Sequence, residues 1–366
     1  MKQIVMLAVK FANEPDWARI LSQFGRVSLV QLDGVHFHQH TEVWENGKCT
    51  FLGPEKKAFP VAKFDQAVLG LSFTATTFKH SWPVIKNQKT DVIIANANSQ
   101  ALTALLLRLA GRTKKVVSLI GDYFPTDKIP PHRKWKWLVR IHRTLVNYFT
   151  TFVAKHSDEV WTLSPRIPTA KYNPNHFVVP LFVQNFNASA ASRAEIGYIG
   201  NPTTDHALEL LFAVCRKHNL TLNVIGDSAY LQSIKSQAPP QTIFHGPISD
   251  VEKINAIFLR CFCGYAVYRE PGPQNYSYYG FPSKILRFLA SNVPVITTNV
   301  PHFTGDVERY GIGQIVEPQF ESVERAVLEI KNRFAAYYDA IDLFREQWNA
   351  GVEQFHRERL AVLLRD

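Results

Sequence analysis

The segment from Cys263 to Thr298 constrains the fold of this 366-residue chain more than any other, and it reads CGYAVYREPGPQNYSYYGFPSKILRFLASNVPVITT. Its apolar beginning, Gly264 to Tyr268, predicts a buried parallel strand, and the following residues, rich in Pro, Gly and Tyr, predict a loop. Pro282 fits the first turn of a helix that ends by Asn292, and Val293 begins a second strand. A strand, a loop, a helix and a strand in this order predict part of an α/β fold.

Lys284 lies in the first turn of the predicted helix. A helix N-terminus carries partial positive charge and free N–H groups, so it attracts anions and disfavours a cation. The two positive groups become compatible when an anion lies between them. Lys284 therefore predicts an anion site at this helix, with phosphate as the natural candidate.

The run FPSKILRFLASNVPVITT resembles the donor-binding segment of GT-B glycosyltransferases, in which a Pro-x-Lys helix start precedes a strand of the V-P-V-I type. The wider segment, from GYAVY through PSKIL, is similar to that of bacterial exopolysaccharide transferases such as the xanthan glucuronosyltransferase, and to glycosyltransferase family 4. The resemblance covers nearly the whole chain, strongly over residues 91–165 and 195–298 and weakly over 34–90. It implies an α/β fold of the GT-B type, with two Rossmann-like domains facing each other across a cleft.

One signature of that superfamily is absent. Retaining GT-B families place two glutamates eight residues apart in this segment, and the matching positions here are Tyr279 and Arg287. Glu321 and Glu329 have the spacing but lie in the later amphipathic run ESVERAVLEIKNRF, so we expect them to be solvated helix residues. The missing pair favours inversion over retention at the transferred sugar carbon.

The composition, 46% hydrophobic and 20% charged residues, is that of a globular protein long enough for two domains. The formal net charge of +10 favours an anionic partner, which could be a sugar nucleotide, a nucleic acid or an acidic membrane face. Four cysteines make neither a disulfide framework nor paired CxxC sequences, so a reducing cytoplasm is expected, with Cys261 and Cys263 packed in a strand. No apolar run has the length of a membrane span and the N-terminus does not read as a signal peptide, which predicts a soluble or peripheral protein.

Alternating strand-like and helix-like segments predict that residues 1–181 form the first Rossmann-like domain. The first three segments are Lys2–Val9, Glu14–Phe24 and Arg26–Leu32. His36, His38 and His40 follow, and an extended segment would carry all three on one face. Such a face could bind zinc, but a solvated strand edge is the commoner explanation and the one we expect.

Asp122 is the candidate carboxylate on the acceptor side. It follows the predicted strand Lys115–Ile120, and polar residues after the carboxyl ends of parallel strands face the ligand crevice of a doubly wound sheet. Many GT-B enzymes have a His-Asp pair here; in this chain the histidine position is Gly121 and the aspartate is present. The resemblance to exopolysaccharide transferases implies that Asp122 is the general base. The alternative is that Asp122 only caps the next turn.

Residues 130–156, PPHRKWKWLVRIHRTLVNYFTTFVAKH, combine cations with tryptophans. The cations are His132, Arg133, Lys134, Lys136, Arg140 and Arg143. Trp135, Trp137 and Leu138 lie between them, a pattern that suits a helix on an anionic lipid surface. A core helix with a solvated basic face explains the same pattern equally well.

The small polar segment 184–193 predicts a linker, after which strands and helices begin again. We predict the second Rossmann-like domain at 194–345. A C-terminal helix at about 346–366 is expected to cross back onto the first domain, as the resemblance implies.

Glycines mark the strand ends of this second domain. Gly200-Asn201 and Gly226-Asp227 follow predicted strands, where the missing side chain lets backbone amides approach phosphate or ribose. A helix is expected between them, from about Thr204 to His218. His245 lies at the end of a further strand, where it either lies beside the nucleotide base, as the resemblance implies, or simply packs.

The resemblance implies a glycosyltransferase that moves a sugar from a nucleotide donor, a UDP- or GDP-sugar, to a saccharide or lipid-linked acceptor in surface polysaccharide or glycan synthesis. The second domain would bind the nucleotide and the first the acceptor, with transfer in the cleft between them. The predicted catalytic residues are Asp122 and Lys284. The predicted donor-binding residues are Gly200, Asn201, Gly226, Asp227, His245, Tyr268, Arg269, Glu270, Ser283 and Arg287.

Charge that develops on the leaving diphosphate needs fixed donors and cations, and we assign Lys284, Arg269 and the amides of Ser283 and Gly200 to that role. Tyr268 and Glu270 are expected to contact the sugar or ribose. No Asp-x-Asp sequence occurs, so neither a metal nor another cofactor is expected.

Two other classes of protein compete with this interpretation. A non-catalytic GT-B-like protein could bind or scaffold a glycan assembly system, and the missing glutamate pair would suit it. Nucleic-acid binding lacks RNP, zinc and helix-turn-helix signatures, so no nucleic-acid partner is expected. The expected location is the cytoplasm, with peripheral attachment to the inner face of the cytoplasmic membrane as the second expectation.

Overall fold

The computed structural model describes residues 1–9, 14–32, 38–53, 56–57, 71–86, 89–121, 136–186, 193–269, 276–299 and 303–365. These residues fall into two compact units. Unit 1 is Met1–Leu181 with Gly351–Asp366, and unit 2 is Phe182–Ala350. No helix among the described residues is both long enough and apolar enough to span a membrane.

Unit 1 is built on a nine-stranded sheet. Its elements are β1 Gln3–Val9, α1 Glu14–Leu21, β2 Arg26–Leu32, β3 His38–Glu45, β4 Lys48–Leu52, β5 Lys56–Lys57, α2 Leu71–Ile85, β6 Thr90–Asn96, α3 Asn98–Leu109, β7 Thr113–Ile120, α4 Lys136–His156, β8 Glu159–Thr162 and β9 His176–Val178. The strand order is β4-β3-β2-β1-β6-β7-β8-β9, with β5 paired to β3. The six strands from β2 to β9 in this order are parallel, and β3, β4 and β5 join them antiparallel.

One core cluster of unit 1 lies between the sheet and helices α2, α3 and α4. Apolar residues of the central strands, such as Leu7 and Ile93, pack against Leu105 of α3 and Val153 of α4. Central strands buried on both faces need continuous apolar runs, which is why β1 and β6 read QIVMLAV and TDVIIAN. The prediction of a Rossmann-like beginning is confirmed.

The turn between β3 and β4 explains how antiparallel strands join this sheet. Asn46 and Gly47 both have positive φ, at 50° and 78°, the backbone of a tight two-residue hairpin. The prediction of a strand edge at the histidines is wrong for His38 and His40, because β3 is paired with β2 on one side and with β4 and β5 on the other. His36 lies outside the described residues.

Unit 2 contains a six-stranded, wholly parallel sheet. Its elements are β10 Glu195–Ile199, α5 Leu208–Lys217, β11 Thr221–Ile225, α6 Ala229–Ile234, β12 Thr242–Gly246, α7 Val251–Phe258, β13 Cys261–Ala266, α8 Tyr276–Tyr279, α9 Ser283–Ala290, β14 Val295–Thr297, α10 Thr304–Tyr310, β15 Gly313–Ile315, α11 Phe320–Asn332 and the start of α12 Phe334–Leu363. The strand order, β12-β11-β10-β13-β14-β15, reverses direction beside β10 and β13. Such a reversal is where doubly wound sheets bind ligands, beyond the carboxyl ends of the strands.

The secondary structure of unit 2 differs from the sequence-based expectation in two places. The expected helix from 204 is instead a single 3-10 turn, Thr204–His206, followed by α5, because Ala207 adopts a left-handed φ of 44°. Part of the expected loop before Lys284 is helical, over Tyr276–Tyr279. As predicted, Cys261 and Cys263 are buried in a strand.

Helix α9 lies against β13 because a glycine leaves room for it. A side chain at Gly264 would place its Cβ only 2.3 Å from Cγ of Phe288. Phe288 is fully buried and packs against Phe258, with 4.6 Å between the ring centroids and 37° between the ring planes. This packing fixes the helix that carries Lys284.

The last part of α12 belongs to unit 1. There the ring of His356 contacts those of Trp17 and Trp161 at 5.4 and 5.6 Å, and Arg359 forms an ion pair with the buried Glu159. Residues 351–363 therefore complete the core of unit 1.

Candidate functional site

Lys284 is the central residue of the candidate site. Its helix begins at Ser283, and Pro282 precedes it as the N-cap with φ −76° and ψ 71°. The predicted helix start is therefore one residue too early, because this ψ is not helical. Lys284 remains in the first turn, after β13 and before β14, as the sequence predicts.

The ammonium group of Lys284 is enclosed by aromatic rings. Its Nζ lies 4.9 Å from the ring centroid of Tyr198 in β10 and 5.1 Å from that of Tyr268, two residues after β13. Lys284 as a whole is half-buried, but the Nζ atom is inaccessible to solvent and has no hydrogen-bond acceptor among the described residues. Because an unpaired buried cation is costly, this nitrogen marks a position for an anion.

Among the described residues, the titratable groups around Nζ carry no compensating charge. Burial lowers the pKa of Lys284 from its ordinary 10.5 to about 7. His206, in the 3-10 turn after β10, has its pKa lowered to about 3 by burial and then by the nearby Lys284, so its ring is neutral. Burial raises the pKa of Tyr198 and of Tyr268 above the ordinary value, so both stay neutral as well. These described groups are therefore positive or neutral at physiological pH.

His206 and Tyr198 are site residues that the sequence analysis missed. Nδ1 of His206 accepts the backbone N–H of Thr203 at 3.0 Å, so the neutral ring carries its hydrogen on Nε2. The ring of His206 lies 5.1 Å from that of Tyr268 and 6.2 Å from that of Tyr198. Tyr198 sits within the apolar run of a buried strand, and a histidine shortly after such a strand is the one signal that could have indicated this cluster.

Gly200 and Gly226 bring the ends of β10 and β11 together. Their φ values are 122° and 125°, which only glycine adopts readily, and a Cβ on Gly226 would lie 2.1 Å from the carbonyl oxygen of Gly200. Next to them, Oδ1 of Asn201 accepts the N–H of Asp227 at 3.3 Å. The structure therefore brings these four predicted residues into one turn cluster.

The two backbone amides that the sequence analysis assigned to the diphosphate already have partners. The N–H of Gly200 donates to the carbonyl of Ile225 at 2.9 Å, and that of Ser283 donates to the carbonyl of Phe281 at 2.8 Å. Neither amide points freely at a ligand in this conformation. The electrostatic attraction of the site for an anion therefore depends on the Lys284 side chain.

The side chain of Arg269, the residue after Tyr268, is held by an acidic partner. Its guanidinium forms an ion pair with Glu209, whose other oxygen accepts the hydroxyl of Tyr230 at 2.9 Å. The backbone N–H of Arg269 donates to the carbonyl of Asp205 at 2.6 Å. Beside it, the N–H of Tyr268 donates to Oγ1 of Thr298 at 3.1 Å, which links the ends of β13 and β14.

His245 and Arg287, two of the predicted donor-binding residues, do not share the contacts that Lys284 makes with Tyr198 and Tyr268. Nε2 of His245 bonds to Oδ1 of Asn223 at 2.9 Å, in a network with Glu195 and Arg260 at the beginning of β10 and β13. His245 lies one residue before the end of β12, and its ring bonds to β11 and not to the residues around Lys284. Arg287, one turn along α9, makes no hydrogen bond or ion pair with any described residue, and burial lowers its pKa.

Glu329 lies in a helix, as the sequence predicts, but it is only partly solvated, with 35% of its side chain exposed. It is half-buried in α11, where it accepts hydrogen bonds from Gln314 at 3.0 Å and from Tyr337 at 3.3 Å and pairs with Arg333. It also lines a cavity of about 530 Å³ between α10, β15 and α12, which contains none of the predicted site residues. Glu321, by contrast, is exposed as expected.

The described residues include no group of His, Cys, Asp and Glu arranged to hold a metal ion.

Asp122 and Glu270 lie outside the described residues, as do residues 130–135 of the basic segment. The rest of that segment is α4, and it presents apolar side chains to solvent. The exposed ones, which we call the α4 stripe, are Trp137, Ile141, Leu145, Tyr148 and Phe152, with 37–65% of their surface accessible. Arg140, Lys155 and His156 are exposed on the same helix, which contains no acidic residue. The alternative of a core helix with a solvated basic face therefore accounts for the buried face of α4 but not for its exposed apolar side chains.

No protein-family model matches the chain, and no curated protein matches its sequence. Its fold does match solved structures. Sucrose-phosphate synthase from Thermosynechococcus elongatus aligns with a TM-score of 0.66 and 14% identity, over 99% of this chain and 100% of that one. The catalytic domain of starch synthase IV from Arabidopsis thaliana, bound to ADP and acarbose, aligns with a TM-score of 0.63 and 9% identity over the full length of both. TarM aligns with a TM-score of 0.58 and 14% identity over 90% of this chain, which spans 64% of the TarM chain.

At these identities the likeness shows the fold. The chain has the α/β fold of GT-B glycosyltransferase structures, built from two Rossmann-like units, and the predicted fold class is confirmed.

Proposed function

We propose that this protein is a glycosyltransferase that transfers a sugar from a nucleoside-diphosphate sugar, UDP- or GDP-linked, to a saccharide or lipid-linked acceptor in glycan synthesis. The observation that carries the proposal is the Nζ of Lys284, which is buried without an acceptor at the carboxyl end of a parallel sheet. A diphosphate supplies the missing charge and the missing hydrogen-bond acceptors. The shared fold with sucrose-phosphate and starch synthases supports the same class of reaction.

In the proposed reaction the bond between the sugar carbon and the diphosphate oxygen breaks while the acceptor oxygen forms a new bond to that carbon. Lys284 stabilises the negative charge that accumulates on the departing diphosphate, and it does so most strongly because its surroundings exclude water. The acceptor hydroxyl loses its proton to Asp122, whose basic role rests on the resemblance described above. Direct displacement inverts the sugar carbon, and no metal ion takes part.

The other predicted residues have supporting roles in this proposal. Tyr268 flanks the ammonium group and, with Glu270, contacts the sugar or ribose. The turn cluster around Gly200 and Gly226 lets the nucleotide approach the strand ends closely. Arg269 reaches the diphosphate by exchanging its Glu209 partner for phosphate oxygens.

The decisive experiment compares Lys284→Ala with Lys217→Ala. Lys217 is an exposed lysine of the same unit that is paired with Glu324, so its removal also deletes a lysine side chain but does not touch the rings around Lys284. Titration calorimetry with UDP, GDP and their sugars should detect binding to the wild type and to Lys217→Ala. Lys284→Ala should lose on the order of 2 to 4 kcal/mol of transition-state stabilisation in turnover. A folded Lys284→Ala protein with normal turnover would contradict the assignment, and binding without any transfer would favour the scaffold alternative.

We also infer that unit 1 binds an anionic membrane surface through α4. Large apolar side chains in contact with water and basic residues without acidic neighbours are the features of an interfacial helix. Each lysine or arginine near an anionic surface contributes about 1 kcal/mol, and salt screens that contribution. A cytoplasmic enzyme held there would reach a lipid-linked acceptor.

Liposome flotation tests the membrane proposal. The protein should float with vesicles that contain anionic phosphatidylglycerol and be released by salt. The double variant Trp137→Glu/Tyr148→Glu should stay at the bottom, whereas Leu343→Glu, which alters a leucine that is 53% exposed in unit 2, should float like the wild type. Equal flotation of all three proteins would contradict the proposal and leave the glycosyltransferase assignment untouched.

A further inference from the structure

The hydroxyl of Tyr198 is a buried polar group without a partner. Tyr198 has no accessible surface, and its Oη has no hydrogen-bond partner among the described residues. Buried polar groups are almost always satisfied, because leaving water without a replacement hydrogen bond costs free energy. Phenylalanine would fill the same apolar position without that cost, so the ring explains the packing and the oxygen calls for another explanation.

The position of this oxygen supplies one. A Cβ at Gly200 would lie 3.7 Å from Nζ of Lys284 and 4.0 Å from Oη of Tyr198. The two unpartnered polar atoms thus border the same small space, which exists because residue 200 has no side chain. A hydroxyl donor and an ammonium donor around one space match the several oxygens of a phosphate.

We propose that Tyr198 is a donor-binding residue whose hydroxyl hydrogen-bonds to the same diphosphate that Lys284 contacts. This inference rests on the proposed function. Lys284 supplies the charge, and the hydroxyl, fixed on a strand, supplies a direction that a flexible ammonium group lacks. Burial keeps the phenol protonated, so the group remains a donor throughout the working pH range.

Tyr265 is a matched control for Tyr198. It lies on the neighbouring strand β13 and is equally buried, but its hydroxyl already donates to the carbonyl of Ala207 at 2.9 Å. Removing the Tyr265 hydroxyl breaks one of the two hydrogen bonds of that carbonyl, which also accepts the N–H of Leu210 at 3.1 Å, whereas removing the Tyr198 hydroxyl breaks no hydrogen bond among the described residues. The two Tyr→Phe changes remove the same hydroxyl group. Their effects on stability and on ligand binding should nevertheless be opposite, because only the Tyr265 hydroxyl has a partner among the described residues.

Calorimetry with UDP, GDP and inorganic pyrophosphate, together with thermal unfolding, tests the inference. Tyr198→Phe should unfold at the wild-type temperature or above it and bind all three probes about ten- to a hundredfold more weakly, the loss expected for a hydrogen bond to a charged group. Tyr265→Phe should unfold at a lower temperature and bind them with wild-type affinity.

The outcomes separate the two proposals. If the wild type binds the nucleotides and Tyr198→Phe binds them equally well, the Tyr198 assignment is overturned while the proposed function stands. If the wild type and both variants bind neither nucleotides nor pyrophosphate, the diphosphate site itself is refuted. A loss for Tyr198→Phe accompanied by a similar loss for Tyr265→Phe would mean that both changes act through packing, which also overturns the assignment.

Discussion

Binding of a nucleoside diphosphate to this protein should take up a proton at Lys284. In the free protein, burial holds the pKa of Lys284 at about 7, and no acidic side chain faces its Nζ among the described residues. A diphosphate beside the ammonium group favours the charged form and raises that pKa again. The groups around Nζ, namely His206, Tyr198 and Tyr268, keep one protonation state between pH 7 and 9, so the proton belongs to Lys284.

The size of the effect follows from the pKa. At pH 8 about a tenth of the free molecules carry the charged lysine, so binding should take up about 0.9 proton per diphosphate. The affinity for the diphosphate should fall about tenfold per pH unit above 7. The terminal phosphate, with a pKa of about 6, is already ionised in this range. Calorimetry at pH 8 in Tris and in HEPES, which differ in ionisation enthalpy, measures the uptake directly.

Two results would refute this reasoning. The first is an equal binding enthalpy in both buffers, since that means no proton is exchanged. The second concerns stability without ligand: the unfolded lysine binds a proton that the folded one has lost between pH 7 and 10.5, so the unfolding free energy should rise with pH by up to about 1.4 kcal/mol per unit there. Lys284→Met should lack this rise, and an identical pH dependence in both proteins would contradict the lowered pKa.

Two further predictions concern packing and the base. Gly264→Ala places a Cβ 2.3 Å from Phe288 and should lower the unfolding free energy by about 1–3 kcal/mol in urea titration, whereas Gly305→Ala, which meets nothing within 4 Å in helix α10, should not. Asp122→Asn should leave donor affinity intact and slow turnover by about a hundredfold in a steady-state assay. A product that retains the anomeric configuration by NMR would show that Asp122 has another role.

Much of the fold was predictable because local patterns determine it. The apolar run of β2, Arg26–Leu32, and the placement of Lys284 after β13 are both as predicted, since continuous apolar strands and helix starts leave clear signals. The Asn46-Gly47 hairpin was equally readable, because these residues suit a turn with two positive φ values. The family resemblance is weak over residues 34–90, so it does not imply this hairpin.

The candidate site was less predictable because its chemistry arises from tertiary contacts. Tyr198 reads as a core residue, and nothing in the run EIGYI indicates that its hydroxyl lacks a partner. Glu329 reads as a solvated residue, yet Gln314 and Tyr337 donate hydrogen bonds to it. The amides of Gly200 and Ser283 were predicted from their positions at element ends, but neighbouring carbonyls accept their hydrogens. Hydrogen-bond partners distant in sequence decide each of these cases.

Helix α9 shows how the fold can accommodate a buried lysine nitrogen that has no hydrogen-bond acceptor among the described residues. At its first turn, the Nζ of Lys284 is buried without an acceptor, which destabilises the free protein. At its other end, two buried arginines supply donors: Arg345 bonds to the carbonyl of Leu289 at 3.1 Å, and Arg193 to that of Ser291 at 2.9 Å. Cations at a helix C-terminus are favoured by the dipole and satisfy carbonyls that the helix leaves free. The helix is thus anchored at its C-terminal end, and this anchoring allows its first turn to hold the unpartnered Lys284 Nζ at the position that we propose for the diphosphate.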